Sequence, residues 1–294
     1  MRRILVIGKN GQLGMSIQKK LINKKQSDEF IFVGREELDL SNNKNIINYF
    51  KNNIFDVFIN CAAYTQVDKA ERDTELSNQI NHLAVLQLAK IAKNQKAKII
   101  HISTDYVFDG KNNNPYTEID KTNPINVYGK TKLEGEKAIQ KILMTDAIII
   151  RVSWLYSEYG SNFVKTMLHL AKKQNQIDVV NDQIGSPTYA SDLADVILKV
   201  IKDKTFINNN QKTQIYHYSN EGNISWYDFA REIFNFSKIN CKISPINSKM
   251  YQTSAQRPKA VIMNKTKISQ RFNINILGLK KSLETCILEI LKNN

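Results

Sequence analysis

The segment Arg3–Gly14, which reads RILVIGKNGQLG, joins an apolar strand to a turn that contains three glycines. Gly8, Gly11 and Gly14 have the spacing GxxGxxG. A tight turn, the close approach of backbone to a pyrophosphate and close packing of helix on strand each favour glycine. A helix that begins after the turn would direct free N–H groups toward phosphate oxygens. The segment therefore predicts the first βα unit of a dinucleotide-binding fold.

Strand-like and helix-like segments alternate outward from this unit. The further strands predicted are Phe30–Val33, Val57–Cys61, Lys98–Ser103 and Ala147–Val152. Repeated βα units require a parallel sheet with helices on both faces. We therefore predict an α/β Rossmann fold with a doubly wound parallel sheet. Residues 1–153 would form an NAD(P)-binding domain, and residues 154–294 a smaller C-terminal substrate-binding lobe that is partly interwoven with it.

The composition is that of a globular protein of one large or two modest domains. The chain has 294 residues, of which 42% are hydrophobic and 24% are charged. No apolar run approaches the roughly 18 residues of a membrane span, and the N-terminus lacks the pattern of a secretory signal. Three distant cysteines provide neither a disulfide framework nor a zinc spacing. We therefore expect a cytoplasmic protein with no membrane partner.

The net charge of +14 indicates a basic protein. A basic chain can bind nucleic acid, an anionic surface or anionic small molecules. No basic stripe with interleaved aromatic residues is present, so we predict no nucleic-acid partner. A phosphate-bearing small molecule is compatible with the charge.

The end of the second strand bears on the choice of cofactor. A carboxylate at that point favours NAD, whereas an arginine can hold the 2′-phosphate of NADP by paired hydrogen bonds. Here Gly34 and Arg35 come first, ahead of two glutamates. The sequence therefore favours NADPH, with NADH as an alternative cofactor, and places Asp39 and Leu40 beside the adenine. A solvated surface role for Arg35 is the alternative.

Two further motifs bear on catalysis. Ser103 and Thr104 follow the fourth strand, where open α/β sheets bind ligands, although such hydroxyls can also simply shape a turn. Tyr128 and Lys132 are four residues apart in a predicted helix and share one face. A neighbouring cation lowers the pKa of a phenol, and a tuned tyrosine can exchange a proton with a carbonyl oxygen.

In this order, these motifs resemble the extended short-chain dehydrogenase/reductase superfamily. Further segments resemble, within it, the dTDP-4-dehydrorhamnose reductase family, and the resemblance covers essentially the whole chain. These segments are 60–71 (NCAAYTQVDKAE), 103–110, 124–136, 151–156, 162–167, 181–188 and Arg257-Pro258. The resemblance implies NADPH-dependent reduction of the C4 keto group of dTDP-4-dehydro-L-rhamnose to dTDP-L-rhamnose, the last step of dTDP-rhamnose synthesis.

The resemblance also implies roles for individual residues. Tyr128 would donate a proton to O4, Lys132 would tune Tyr128 and hold the nicotinamide ribose, and Thr104 would orient the keto oxygen. The implied cofactor-binding residues are Gly8, Asn10, Gly11, Gln12, Leu13, Gly14, Arg35, Asp39, Leu40, Ala62, Ala63, Tyr64, Tyr128 and Lys132. The implied substrate-binding residues are Thr65, Val67, Ser103, Thr104, Trp154 and Arg257. For Trp154 the alternative is a core aromatic, and for Arg257 a structural ion pair.

Metal, oligomeric state and two competing functions complete the predictions. Some family members pair through a magnesium site with a carboxylate early in the first helix, but Met15–Gln18 contains none, so no metal is predicted. A monomer and a homodimer both stay open.

The competing functions are a nucleotide-sugar epimerase or dehydratase, and a non-catalytic regulatory subunit. Tyr106 stands where a dehydratase would have a second carboxylate, and a binding module has no need of Thr104, Tyr128 and Lys132.

Overall fold

A computed structural model describes residues 1–22, 25–207 and 212–292 of the chain. Within the predicted C-terminal lobe, residues 208–211, 293 and 294 lie outside the described residues. The described strands are β1 (Arg3–Ile7), β2 (Glu29–Val33), β3 (Val57–Asn60), β4 (Lys98–Thr104), β5 (Ala147–Val152), β6 (Leu155–Tyr156), β7 (Gln176–Val180), β8 (Ile184–Gly185), β9 (Thr188–Tyr189), β10 (Gln214–Tyr218), β11 (Ile224–Ser225) and β12 (Lys242–Ile246).

The helices enclose the sheet and build the second lobe. They are α1 (Gln12–Leu21), α2 (Asn43–Lys51), α3 (Val67–Ala70), α4 (Thr74–Asn78), α5 (Ala84–Gln95), α6 (Val127–Ile142), α7 (Phe163–Ala171), α8 (Ala190–Val200), α9 (Lys204–Ile207), α10 (Trp226–Ser237), α11 (Thr266–Phe272) and α12 (Leu279–Lys292). A π-helical turn, Gln79–Leu83, joins α4 to α5. No helix in the described part of the chain combines the length and apolar character that crossing a bilayer requires.

Six parallel strands form the central sheet, in the order β2-β1-β3-β4-β5-β10. The chain passes from β1 outward to β2 and then crosses to β3 on the other side of β1. Ligands of open α/β sheets bind at such a switch point, beyond the carboxyl ends of the strands. The predicted Rossmann fold is confirmed. The sixth strand, β10, comes from the second half of the chain and was not predicted.

Helices cover both faces of the sheet because its strands are apolar on both faces. On one face, α1, α8 and α11 pack against β1, β3, β5 and β10. On the other face, α2, α5 and α6 pack against the same layer. A separate core joins α7, α10 and α12 to β7. The second lobe thus has its own core, while α8 and β10 belong to the first layer.

Candidate active site

The glycine turn between β1 and α1 is closely packed. Gly8 has φ +94°, and a Cβ atom there would lie 3.0 Å from the amide nitrogen of Ala62. A Cβ atom on Gly14 would lie 2.2 Å from the carbonyl oxygen of Gly8. No side chain of the described residues caps the start of α1 at Gly11, so the first-turn N–H groups are available to an anion. The turn therefore fits the diphosphate of a dinucleotide.

The predicted residues of this turn have different surroundings. Asn10 and Gly11 are exposed, whereas Leu13 is buried in the core. The side chain of Gln12 accepts hydrogen bonds from Ser157 (3.0 Å) and Asn162 (2.9 Å), both in the second lobe. Gln12 therefore also connects the turn to that lobe.

Two cations and two carboxylates lie beyond the end of β2. Arg35 is 77% exposed, and its Nε lies 3.5 Å from Asp39. Lys9 forms an ion pair with Glu37, whose carboxylate also accepts a hydrogen bond from the amide of Gly34 at 2.8 Å. Leu40 is buried. The cations suit a 2′-phosphate, and the carboxylates suit the hydroxyls of an unmodified ribose.

Asparagines hold the loop that follows β3. The Asn60 side chain accepts a hydrogen bond from the amide of Ala62 at 3.1 Å. Asn81, in the π-helical turn, bonds both the amide (2.9 Å) and the carbonyl (3.1 Å) of Tyr64. The Tyr64 phenol donates to Asp73, and Thr65 beyond it is exposed. Hydrogen bonds from these asparagines to the backbone therefore fix the loop. Ala63 lies between the two residues that are held, Ala62 and Tyr64.

Thr104 and Tyr128 meet at the carboxyl end of β4. Thr104 is 4% exposed and hydrogen-bonds the phenol of Tyr128. Burial raises the pKa of Tyr128 to about 12, although the bond from Thr104 acts in the opposite direction. The net shift is opposite to the one predicted from Lys132. A phenol with this pKa keeps its proton at neutral pH, which is the form that a proton donor needs.

Lys132 is buried one helical turn after Tyr128. Its Nζ donates to the carbonyl of Ile102 at 2.6 Å and lies 3.4 Å from Nε2 of His101. Burial lowers the pKa of Lys132 to about 8 and holds the pKa of His101 well below its usual range. His101 is in turn bonded to Asn60 at 3.1 Å. The ammonium is therefore fixed between the ends of β3 and β4.

Ser103 does not face the same space as Thr104. Successive side chains of a strand point to opposite faces of the sheet. The Ser103 hydroxyl donates to Glu136, which also holds Arg151 by bonds of 2.6 and 2.9 Å. All three side chains are buried. The hydroxyl of Ser103 is therefore engaged in a structural network between β4, β5 and α6, and its contact with substrate stays a prediction.

Trp154 has an uncommon backbone conformation. Its φ of 45° is in the left-handed region. A residue other than glycine keeps this conformation only where the packing around it compensates for the strain. Its ring stacks on Trp226, with centroids 3.3 Å apart and planes at 5°. A Cβ atom on Gly185 would lie 2.5 Å from the same indole. Trp154 and Trp226 form part of the wall beside Asp105 and Tyr106.

Arg257 forms a bidentate ion pair with Asp68 of α3, with N–O distances of 2.5 and 3.1 Å. The pair joins the second lobe to the loop beyond β3, near Val67. Arg257 also lines a cavity of about 860 Å³ whose wall includes Trp226, Lys249 and Lys259. Arg257 therefore forms the structural ion pair that was the alternative to substrate binding. Its guanidinium also lies at the edge of a cavity large enough for a nucleotide sugar.

Comparison with known proteins decides the family. The family described as RmlD substrate binding domain matches residues 1–292. The dTDP-4-dehydrorhamnose reductase of Aggregatibacter actinomycetemcomitans is 40% identical over 293 residues, which cover 97% of this chain and 98% of that protein. The chain belongs to the dTDP-4-dehydrorhamnose reductase family. It is therefore an oxidoreductase, as the sequence predicted.

Solved structures of dTDP-4-dehydrorhamnose reductases agree. The chain matches the protein from Clostridium acetobutylicum with a TM-score of 0.90 and 39% identity, over 99% of both chains. It matches the protein from Bacillus anthracis, solved in complex with NADP, with a TM-score of 0.90 and 34% identity, over 98% of this chain and 99% of that one. These likenesses establish the family and the fold, while the roles of individual residues stay predictions.

Several residues of this reductase site were not predicted from the sequence. Trp226 follows a short strand and resembles an ordinary core residue of an amphipathic helix. Asp68 and His101 carry no local signal, because their partners lie far away in the chain. Asp105 is the exception, since it directly follows Thr104. Among residues 1–22, 25–207 and 212–292, no cluster of three or more histidine, cysteine or acidic side chains is placed to hold a metal.

Proposed function

We propose that this chain catalyses the NADPH-dependent reduction of the C4 keto group of dTDP-4-dehydro-L-rhamnose, which gives dTDP-L-rhamnose. One observation carries the proposal: Thr104, Tyr128 and Lys132 meet at the carboxyl end of β4. Family membership supports the choice of substrate, because full-length relatives bear the name of this activity.

The residues present fit NADPH. The turn Gly8–Gly14 would hold the diphosphate, Arg35 and Lys9 the 2′-phosphate, and Ala62 and Ala63 would allow close approach of the cofactor. NADPH supplies the hydride when it is bound. The NADP complex of the Bacillus anthracis relative supports this choice. NADH is the alternative, because Glu37 and Asp39 lie at the same end of the sheet.

The catalytic residues would act on the keto oxygen. Tyr128 keeps its proton at neutral pH and would donate it to O4 as negative charge develops there. Thr104 would donate a hydrogen bond to the same oxygen, and such donors stabilise developing charge in a site that excludes water. Lys132 would hold the nicotinamide ribose from its position between the ends of β3 and β4.

The second lobe would bind the dTDP-sugar. Trp154 would offer an apolar ring face to the deoxysugar, and Thr65 and Val67 would supply further contacts. The nucleotide would lie in the cavity of about 860 Å³, whose cations Arg257, Lys249 and Lys259 suit a diphosphate. As for assembly and location, we propose a cytoplasmic enzyme that works as a monomer or homodimer.

The test is to incubate the protein with NADPH and dTDP-4-dehydro-L-rhamnose generated in situ, and to identify the sugar formed by NMR. We expect one NADPH oxidised for each dTDP-L-rhamnose formed, and a repeat with NADH gives the cofactor preference. Isomerised or dehydrated sugar without net NADPH oxidation would favour an epimerase or dehydratase. Absence of any turnover, with capture of the enzyme that such a subunit would regulate, would favour a regulatory subunit.

A further inference from the structure

Asp105 is a buried carboxyl group beside the predicted catalytic hydroxyl. It begins a short 3₁₀ turn, Asp105–Val107, and its side chain is 3% exposed. Its Oδ1 lies 3.1 Å from Oγ1 of Thr104. In the described part of the chain, no cation forms an ion pair with it. Burying an ionised carboxylate without a cation is costly, so the neutral acid is accessible at this position.

The hydrogen-bond capacity of Thr104 links Asp105 to the reacting oxygen. A threonine hydroxyl has one hydrogen and two lone pairs. One lone pair accepts from the amide of Tyr106 at 3.1 Å. When Asp105 is ionised, it can only accept, so it takes the hydrogen of Thr104. In that arrangement the one hydrogen of Thr104 is committed within the protein.

Protonation of Asp105 reverses this arrangement. A neutral carboxyl group has an O–H donor, which can fill the second lone pair of Thr104. The hydrogen of Thr104 is then available to a ligand. We propose that Asp105 is a positioning residue that acts through Thr104: its neutral carboxyl group donates to Thr104 and thereby frees the Thr104 hydroxyl to donate to the keto oxygen of the substrate. This inference rests on the proposed reductase function.

The proton balance of the proposal is simple. Asp105 keeps its proton during turnover. It loses this proton to solvent only when the pH is raised. The ketone receives hydride at C4 and the proton of Tyr128 at O4. Tyr128 then recovers a proton before the next cycle.

Burial favours the neutral acid of Asp105, whereas hydrogen bonds from Thr104 and from the backbone amides of Asp105 and Tyr106 favour its ionised form. The titratable groups that face it are the phenols of Tyr106 and Tyr128, and burial raises the pKa of each. The ion pair of Arg257 with Asp68 acts on Tyr106, while Lys132 is turned to Ile102. The remaining wall is uncharged and consists of Trp154, Gln183, Ile184, Trp226, Pro258 and Val261. Burial raises the pKa of Asp105 to about 7, so its titration falls within the working range of pH.

The decisive experiment compares the pH dependence of kcat for the wild type and Asp105→Asn, at saturating NADPH and substrate. The wild type should lose activity by about tenfold for each pH unit above the pKa near 7. An asparagine amide always donates, so Asp105→Asn should stay active and lose this descending limb. Asp105→Leu has a similar size but no donor, and should be slow at every pH.

Controls separate this effect from loss of folding. Asp109→Asn, the same substitution four residues further along, should keep the limb, and thermal unfolding should show that each variant is folded. The ¹³C resonance of the Asp105 carboxyl should titrate near pH 7 in the full-length protein without substrate, and should be missing in Asp105→Asn.

Three outcomes would overturn the inference: an unchanged limb in Asp105→Asn, a folded Asp105→Asn that is inactive at every pH, or an Asp105 resonance that titrates near pH 4. If the wild type itself oxidises no NADPH with the sugar, the proposed function fails instead, and the carboxyl titration still reports on Asp105.

Discussion

At the site, the side chains of Tyr128 and Lys132 have pKa values that differ from those of free side chains. Burial raises the pKa of Tyr128 to about 12 and lowers that of Lys132 to about 8. At neutral pH the phenol is protonated, and the ammonium is close to losing its charge. This combination suits proton donation by Tyr128 in the direction of reduction.

Replacing Tyr128 with Phe removes the proposed proton donor while keeping the ring. Turnover should fall by about 10²–10⁴-fold, the usual contribution of a positioned acid. The affinity for NADPH should change little, because the phenol is not a main binding group. Steady-state kinetics and a binding titration measure the two effects. Tyr49→Phe, on the distant helix α2, is the matched control, and near-normal turnover of Tyr128→Phe would rule out the assigned role.

Replacing Arg35 with Ala should weaken NADPH more than NADH, because only NADPH carries the 2′-phosphate. A hydrogen bond to a charged group contributes about 1.5–3 kcal/mol, so the preference should shift at least tenfold. The measurement is the ratio of kcat/KM for the two cofactors. Arg72→Ala, at another exposed arginine, should leave this ratio unchanged. Equal losses for both cofactors would show that Arg35 does not contact the phosphate.

The junction of β1 with α1 depends on close backbone contacts at Gly14, and a larger residue there would disrupt them. A Cβ atom on Gly14 would meet the carbonyl oxygen of Gly8 at 2.2 Å and Cα of Lys9 at 3.0 Å. Backbone atoms cannot rotate away as a flexible side chain can. The first helix would have to move relative to the strand, and the phosphate-binding turn with it.

Gly14→Ala should therefore lower the free energy of unfolding by about 1–3 kcal/mol and weaken NADPH binding. Denaturant unfolding and a binding titration measure these changes. Gly278→Ala is the control, because nothing lies within 4 Å of the added Cβ atom, and its effect should stay within about 1 kcal/mol. Similar stabilities of the two variants would contradict the packing argument.

For the molecule as a whole, we expect activity and assembly without a divalent metal. Magnesium requires several oxygen ligands, and α1 begins without a carboxylate. Asp192 accepts hydrogen bonds from Asn220 (2.7 Å) and Ser282 (2.5 Å), and Asp195 pairs with Lys20 at 2.5 Å. These carboxylates are already engaged in structural contacts.

Turnover should therefore survive EDTA, and light scattering should give the same mass with and without Mg²⁺. A protein treated with EDTA and then supplied with Mg²⁺ is the control for damage during treatment. Activity that disappears in EDTA and returns with Mg²⁺ would contradict the prediction, and Asp192 and Asp195 would be the first carboxylates to replace.

Several contacts connect the two lobes, and three of them bear on the site. Gln12 accepts hydrogen bonds from the second lobe, Arg257 pairs with Asp68, and β10 extends the central sheet beside β5. The site therefore depends on the joint position of both lobes. The predicted cofactor-binding residues belong to the first lobe, whereas the predicted substrate-binding residues Trp154 and Arg257 belong to the second.

The amino-acid sequence alone determined the glycine turn, five strands of the sheet and the order of the catalytic motifs. These features were accessible because each depends on residues close together in the chain: a glycine spacing, an apolar period or a four-residue step on one helix face. Thr104 and Tyr128 were brought together as expected, since both follow elements at one end of a parallel sheet.

Only the tertiary structure decided which side chains share an environment. It turned Ser103 toward Glu136 and Thr104 toward the site, paired Arg257 with Asp68, stacked Trp154 on Trp226 and placed β10 beside β5. It also reversed the expected shift in the pKa of Tyr128, because burial outweighs the hydrogen bond from Thr104. These outcomes depend on contacts between residues that are distant in the chain, and on exclusion of water by the whole fold, so no local pattern could reveal them.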